Sequence, residues 1–331
     1  MIIDAHQHIF ESKWVPTAVP KILARRLAKA RLPYRDPEEI LLSIEALWYD
    51  PGGERWARDM EELGIDIGVS LPNDFELFEG AAEDPGYSIE KIHEEYYSLT
   101  KKYSGKFFTF VGVDPRRSNA LQIIERGVRE RGAKGVKLLP PVGFYPNDRI
   151  CYRIYEKCAN LGIPVCIHTG PTTLGWNKYS NPLCVEEPLK DFPEIEFILA
   201  HGGGGLGFMW EEALSVAFAN ANANLDFATV APSVIKGGWM GPNGKYKDHI
   251  PQFLDVLDIM RNHLAGGCLN LLFATDYPVV GSMDTLKEWI QLFKNLPSVA
   301  GQYGYKFSEK EAEQILWQNA NRIMKLGIAE A

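Results

Sequence analysis

Short runs of apolar and β-branched residues recur along the chain, and after each comes a longer stretch in which apolar residues return every three or four positions. The runs are Met1 to Ala5, Ile65 to Leu71, Phe107 to Val113, Gly135 to Leu139, Pro164 to Ile167, Ile195 to Ala200, Asn224 to Phe227 and Leu271 to Thr275. They read as strands, and the stretches between them read as helices near residues 53–63, 86–103, 118–131, 148–161, 184–191, 209–221, 251–264 and 284–296. A last helix opens with the capping box Ser308-Glu309-Lys310-Glu311, carries Ile315, Leu316, Ile323 and Met324 on one face, and is expected to end at Gly327. Eight strand-then-helix repeats, with no strand-rich second block and no linker, predict one α/β domain over residues 1–331: a (β/α)8 TIM barrel.

Two stretches exceed the repeat, and both follow the carboxyl end of a strand, where barrels of this kind build their sites. Residues 10–52 read as a helical insertion after strand 1, with helical pattern from Ile22 to Leu32 and from Pro37 to Ala46. Residues 230–249 hold Pro232, Gly237, Gly238, Gly241, Pro242 and Gly244, which predict a mobile loop without regular structure. Trp239 within it either covers a bound ligand or anchors the loop to the barrel.

Composition narrows the class. With 46% hydrophobic, 24% charged and 11% aromatic residues, the chain is neither disordered nor fibrous. Its 35 basic and 43 acidic residues leave a net charge of −8, so there is no basic footprint for nucleic acid or for an anionic membrane. The expected partner is a small-molecule substrate, with a homo-oligomer left open. No apolar run reaches the ~18 residues of a membrane span, and MIIDAHQHIF is not a leader of basic then apolar residues, which makes a cytoplasmic location the expectation. Cys151, Cys158, Cys166, Cys184 and Cys268 form no C-x-x-C pair and read as free thiols, Cys166 as core.

Four of the seven histidines fall at the carboxyl ends of predicted strands: His6 and His8 after the first, His168 after the fifth and His201 after the sixth. In extended chain, residues i and i+2 project to the same side, so His6 and His8 can both face the barrel mouth. Asp276, in FATDYP after the eighth strand, faces the same axis once the barrel closes. Neutral imidazoles with a carboxylate form a nitrogen and oxygen donor set suited to zinc, with manganese, iron or nickel also compatible. For His93, in a charged helix, and His263, near a helix end, solvent exposure or dipole complementarity suffices, and His249 belongs to the loop, from which it could approach the mouth. Weaker candidates at the mouth are Asn73, Arg116 and Tyr277; Arg116 reads equally as a carboxylate clamp or a structural ion pair. Gly202 to Gly205 read as a tight turn that brings His201 close.

His6-Gln7-His8, Gly135-Val136-Lys137-Leu138, His168 in IHTG, His201 in AHGG, Asp276 in FATDYP and the terminal Gln318-Asn319-Ala320-Asn321-Arg322 together resemble the amidohydrolase superfamily. More narrowly they are similar to its amidohydrolase-2 branch, which includes the aminocarboxymuconate-semialdehyde decarboxylases. The resemblance implies a divalent metal held by His6, His8, His168 and Asp276, with His201 either a ligand of a second metal or a group that polarises the substrate carbonyl. The branch is mostly mononuclear, so one ion, zinc first, is expected rather than two. Asp276 is the expected proton shuttle. Lys137 matches the lysine that is carbamylated and bridges two metals in binuclear members; it reads otherwise as an ammonium for a substrate carboxylate, or as half of a structural salt bridge.

The expected function is a metal-dependent hydrolase, in which activated water attacks an amide, lactone or ester carbonyl of a small molecule, an anionic one included, with Asp276 and His201 as catalytic residues. A metal-dependent non-oxidative decarboxylase uses the same ligands and is the alternative. A metal-storing or scaffold protein is the non-enzymatic reading.

Overall fold

The computed structural model describes residues 1–11, 15–30, 32–78, 88–204, 208–236, 249–279 and 281–329. Its centre is a ring of short parallel strands, each paired with the next in chain order. They are β1 (Ile3–Gln7), β2 (Ile67–Ser70), β3 in two pieces (Phe107–Thr109 and Val111–Gly112), β4 (Val136–Leu138), β5 (Val165–His168), β6 (Phe197–Ala200), β7 (Ala223–Asp226) and β8 (Leu271–Leu272). β3 changes partner at Phe110: its first piece pairs with β2 and its second with β4. The ring closes between β8 and β1, where Ala5 N donates to Phe273 O at 3.1 Å and Gln7 bridges Tyr277. This is the TIM barrel that the alternating pattern predicts, with all eight strands at the expected places.

Nearly every strand residue is buried, as befits parallel strands with side chains inside the ring on one face and beneath helices on the other. The helices are α1 (Ala18–Lys29), α2 (Pro37–Trp48), α3 (Glu54–Leu63), α4 (Ile89–Lys102), α5 (Ala120–Arg129), α6 (Arg149–Leu161), α7 (Glu186–Asp191), α8 (Trp210–Phe218), α9 (Ala231–Lys236), α10 (Ile250–His263), α11 (Met283–Lys294), α12 (Leu296–Gln302), α13 (Glu309–Glu313) and α14 (Asn319–Ile323). Among the described residues no helix is long and apolar enough to cross a membrane.

The insertion after β1 folds as α1 and α2, which pack on each other; Leu23, Ala24 and Ala28 of the first and Ile40, Ile44 and Trp48 of the second are buried. Asp36 caps α2 by accepting from Glu38 N, and Pro37 sits in the first turn, where its missing N–H costs nothing. The insertion leaves and rejoins the barrel at one point: Phe10 bridges Tyr49, and Asp50 N donates to Phe10 O at 2.7 Å.

Two expectations need correction. The stretch from residue 230 is not wholly irregular, because Ala231–Lys236 is helical; Pro232 lies in its first turn, the position a helix tolerates. Residues 237–248, including Trp239, lie outside the described residues. The last helix ends at Ile323, before Gly327, after a π-helical turn at Gln314–Gln318.

That last segment holds β8 in place. Phe273 N donates to Ile315 O at 2.9 Å, and the buried Asn319 Nδ2 donates to Cys268 O at 2.6 Å and Leu271 O at 2.7 Å. Asn319→Ala therefore leaves two carbonyls without this donor and is expected to cost about 2–3 kcal/mol, read as a lower urea midpoint with unchanged slope.

Candidate metal centre

The carboxyl end of β1 and the chain after β8 interleave. Asp276 N donates to His6 O at 2.9 Å and His8 N donates to Tyr277 O at 2.7 Å, so the seam that closes the barrel also sets Asp276 between the two histidines. Each imidazole is turned by its Nδ1. His6 Nδ1 lies 3.0 Å from Asp226 Oδ2 and His8 Nδ1 lies 2.8 Å from Leu71 O. Both partners are acceptors, so both Nδ1 atoms carry the proton and both Nε2 atoms keep a lone pair.

Those lone pairs converge on one oxygen. Asp276 Oδ1 is 3.1 Å from His8 Nε2 and 3.5 Å from His6 Nε2, and the donor atoms of His6, His8 and Asp276 lie within 4.8 Å of one another. His6 Nε2 and Asp276 Oδ1 are buried without any aligned hydrogen bond among the described residues. Buried nitrogen and oxygen acceptors facing each other are costly as they stand, and a divalent cation among them would satisfy all three. The residues fit such an ion.

His168, at the end of β5, and His201, after β6, lie on the same cavity, with His201 Nε2 3.0 Å from His168 Nδ1. Their other nitrogens, His168 Nε2 and His201 Nδ1, have no hydrogen-bond partner among the described residues. The His201 ring sits 4.8 Å from that of His6 and 4.5 Å from that of His168. Burial, reinforced by Lys137 and the neighbouring histidines, holds His6, His168 and His201 well below the ordinary histidine value of 6.5. Burial also raises Asp276, against the opposing pull of His8.

Three non-glycine residues here take the left-handed backbone region: His201 (φ 67°), Thr229 (φ 67°) and Asp276 (φ 63°), and all three line the cavity. Such conformations cost of order 1–3 kcal/mol each and collect where side-chain placement matters. After His201 the chain turns tightly, and at Gly203 (φ 83°) a Cβ would stand 2.1 Å from Met209 O. Gly205 lies outside the described residues.

The cavity measures about 400 Å³. Its floor carries His6, His8, Lys137, His168, His201 and Asp276. Its roof comes from the insertion through Leu23, Leu27, Arg35, Ile40, Ser43, Ile44, Leu47 and Trp48. A stack of rings joins the two, His8 on Phe10 at 5.4 Å and Phe10 on Trp48 at 4.7 Å. Lys137 is buried on the floor with Nζ 3.7 Å from Cys166 Sγ, and among the described residues it forms no salt bridge. The salt-bridge reading of Lys137 therefore falls. Burial pushes the Cys166 thiol up to about 12, as a core thiol should be.

Of the weaker candidates, Asn73 lines the cavity with Oδ1 unpartnered among the described residues. Two others do not line it. Arg116 spends its fork on Asp114, with Nε 2.9 Å from Oδ1 and Nη2 2.6 Å from Oδ2, so the ion-pair reading holds. Tyr277 turns away and donates its hydroxyl to Asp59 Oδ2 at 2.6 Å. His93 is buried rather than solvent-facing, and burial lowers it to about 3. Sequence reasoning missed Asp226; its signal was the strand-end position it shares with His168, in the run Asn224 to Phe227.

Added Mn2+ or Zn2+ is expected to raise the melting temperature of the wild-type protein, and His8→Ala to abolish that rise. Tyr277→Phe keeps the rise while costing about 1–3 kcal/mol of baseline stability, because Asp59 loses its donor. Because burial lowers the three histidines, their neutral, metal-binding form persists below pH 6.5, and proton competition removes the metal-dependent rise only at lower pH. Melting curves at stepped pH check all three.

Comparison with known proteins bears on the family and the fold. The chain is 29% identical over 143 residues to the 2-keto-4-carboxy-3-hexenedioate hydratase of Sphingobium sp. (strain NBRC 103272 / SYK-6), a match over 36% of this chain, and it spans less than half, 42%, of that relative's length. Two solved structures share the fold. One is the 5-carboxyvanillate decarboxylase of Novosphingobium aromaticivorans, complexed with manganese and 4-hydroxy-3-methoxy-5-nitrobenzoic acid (TM-score 0.66, 14% identity, 98% of this chain and 96% of that one). The other is a probable 2-pyrone-4,6-dicarboxylic acid hydrolase of Acinetobacter baumannii with citric acid bound (TM-score 0.59, 14% identity, 98% and 99%). The family model described as amidohydrolase, Amidohydro_2, matches residues 3–326. The chain therefore belongs to the amidohydrolase family.

Proposed function

We propose that this protein is a hydrolase that opens an amide, lactone or ester carbonyl in a small molecule bearing a carboxylate. The observation that carries the reading is Lys137, buried on the cavity floor beside the candidate ligands and without a salt bridge among the described residues. A cationic amine in that position is left for an anion of the substrate to neutralise. It also bears on the reaction: pairing a carboxylate with Lys137 stabilises that carboxylate, which suits a group that is held and opposes its loss as carbon dioxide.

In this reading the chain is one catalytic domain, and His6, His8, His168 and Asp276 hold one divalent ion, zinc first by donor type. Such an ion supplies a polarised carbonyl and a water whose pKa falls toward ~7. Asp276 takes the proton of the attacking water and returns it to the departing nitrogen or oxygen. His201, kept neutral by burial, donates toward the carbonyl oxygen. Phe10, Trp48 and the apolar roof seat the rest of the substrate and exclude water.

The aromatic wall supports a second reading, non-oxidative decarboxylation, together with the likeness to the 5-carboxyvanillate decarboxylase. There the carbon–carbon bond to the carboxylate breaks, its electron pair stays on the substrate carbon, and a proton from Asp276 caps that carbon.

Metal-loaded protein offered 2-pyrone-4,6-dicarboxylate is expected to open the ring with uptake of base and no carbon dioxide. Carbon dioxide released from 5-carboxyvanillate or 2,6-dihydroxybenzoate, with no ring opening, selects the second reading. Lys137→Met is expected to raise KM for a carboxylate substrate roughly 10- to 100-fold, the worth of a charged hydrogen bond, with a smaller change in kcat. An unchanged KM removes Lys137 from substrate binding.

A further inference from the structure

We infer that Asp226 is a positioning residue that dictates which nitrogen His6 offers to a metal and fixes His201 beside it. Asp226 ends β7 and is 1% exposed. Its two oxygens are divided between the two histidines. Oδ2 lies 3.0 Å from His6 Nδ1, while Oδ1 accepts from His201 N at 2.8 Å and from Ala228 N at 3.1 Å. Among the described residues no lysine or arginine pairs with it, so its partners are N–H groups and the His6 ring.

The His6 bond has a chemical consequence. A carboxylate accepts only, so the proton of neutral His6 must sit on Nδ1, which leaves the lone pair on Nε2, 3.5 Å from Asp276 Oδ1. The His201 bond has a conformational one. The amide that Asp226 accepts belongs to a residue at φ 67°, and the same oxygen also holds Ala228, one residue before the left-handed Thr229. One buried carboxylate thus ties a ring from β1 to the backbone after β6 and β7, which keeps the His6 and His201 rings 4.8 Å apart.

The donor atoms of His6, His201 and Asp226 also lie within 4.8 Å of one another, the spacing of a second cation site. The hydrogen bonds argue for positioning instead, since both Asp226 oxygens already accept and His6 Nδ1 faces the carboxylate with its proton.

The inference rests on His6 being a metal ligand, and its test separates the two. Asp226→Asn keeps the shape but can turn its NH2 toward His6 Nδ1, which favours the tautomer protonated at Nε2. In a folded variant, competition against a chelator is expected to give a roughly 10- to 100-fold weaker Mn2+ or Zn2+ affinity. Nitrogen-15 spectra of the metal-free wild-type protein at pH 7.5 are expected to show His6 protonated at Nδ1 and bare at Nε2. An affinity within threefold of wild type, or a wild-type His6 protonated at Nε2, overturns the proposal. So does binding of two cations per chain with the second lost in the variant, which makes Asp226 a ligand. If the variant does not fold, the wild-type spectra decide. A wild-type protein that binds no cation defeats the metal reading alone, because the tautomer is measured without metal.

Discussion

The backbone seam between the first and last strands is the constraint on which the rest depends. Ala5 bonds Phe273, His6 bonds Asp276 and His8 bonds Tyr277, joining residues some 270 positions apart. No local preference could bring these segments together, and the loop entropy of doing so is recovered only when the whole ring of strands forms. The same hydrogen bonds that close the barrel set the Asp276 carboxyl against the His6 and His8 rings. The segment from Ile315 to Asn319 braces the seam from behind by bonding Phe273, Cys268 and Leu271.

Closing the ring buries polar and ionisable groups on its floor. His6, His201 and Asp276 are each 5% exposed or less, and Lys137 is 2% exposed. Burial keeps the imidazoles neutral, the form that coordinates a cation, and it leaves lone pairs unsatisfied until something binds. Stability is given up for chemistry at this place, and the left-handed backbones of His201, Thr229 and Asp276 belong to the same exchange. The insertion then completes the enclosure, with the stack from His8 through Phe10 to Trp48 linking its apolar roof to the ligand floor.

Much of this was legible in the sequence. Parallel strands buried on both faces are near-continuous apolar runs, so all eight stood out, and the insertion stood out as excess length after the first. His6, His8, His168, His201 and Asp276 were legible because they occupy strand ends, where a barrel gathers its functional groups. What failed was direction. Arg116 and Tyr277 sit at strand ends too, yet one turns to Asp114 and the other to Asp59. His93 lies in a charged helix but on its buried face. Proline and glycine near residue 232 suggested irregular chain, although a proline in a first turn is compatible with the short helix found there.

The amino-acid sequence by itself determined the repeat, the fold class and which histidines gather with Lys137 and Asp276 on the cavity floor, because hydrophobic period and strand-end position are properties of the chain alone. Tertiary structure decided which nitrogen of each histidine faces the cavity, that Asp226 stands behind His6, and that Lys137 has no salt-bridge partner among the described residues. The physical reason is that these depend on acceptors such as Leu71 O and Asp226 Oδ2, which lie 63 and 220 residues away along the chain and become neighbours only when the barrel closes.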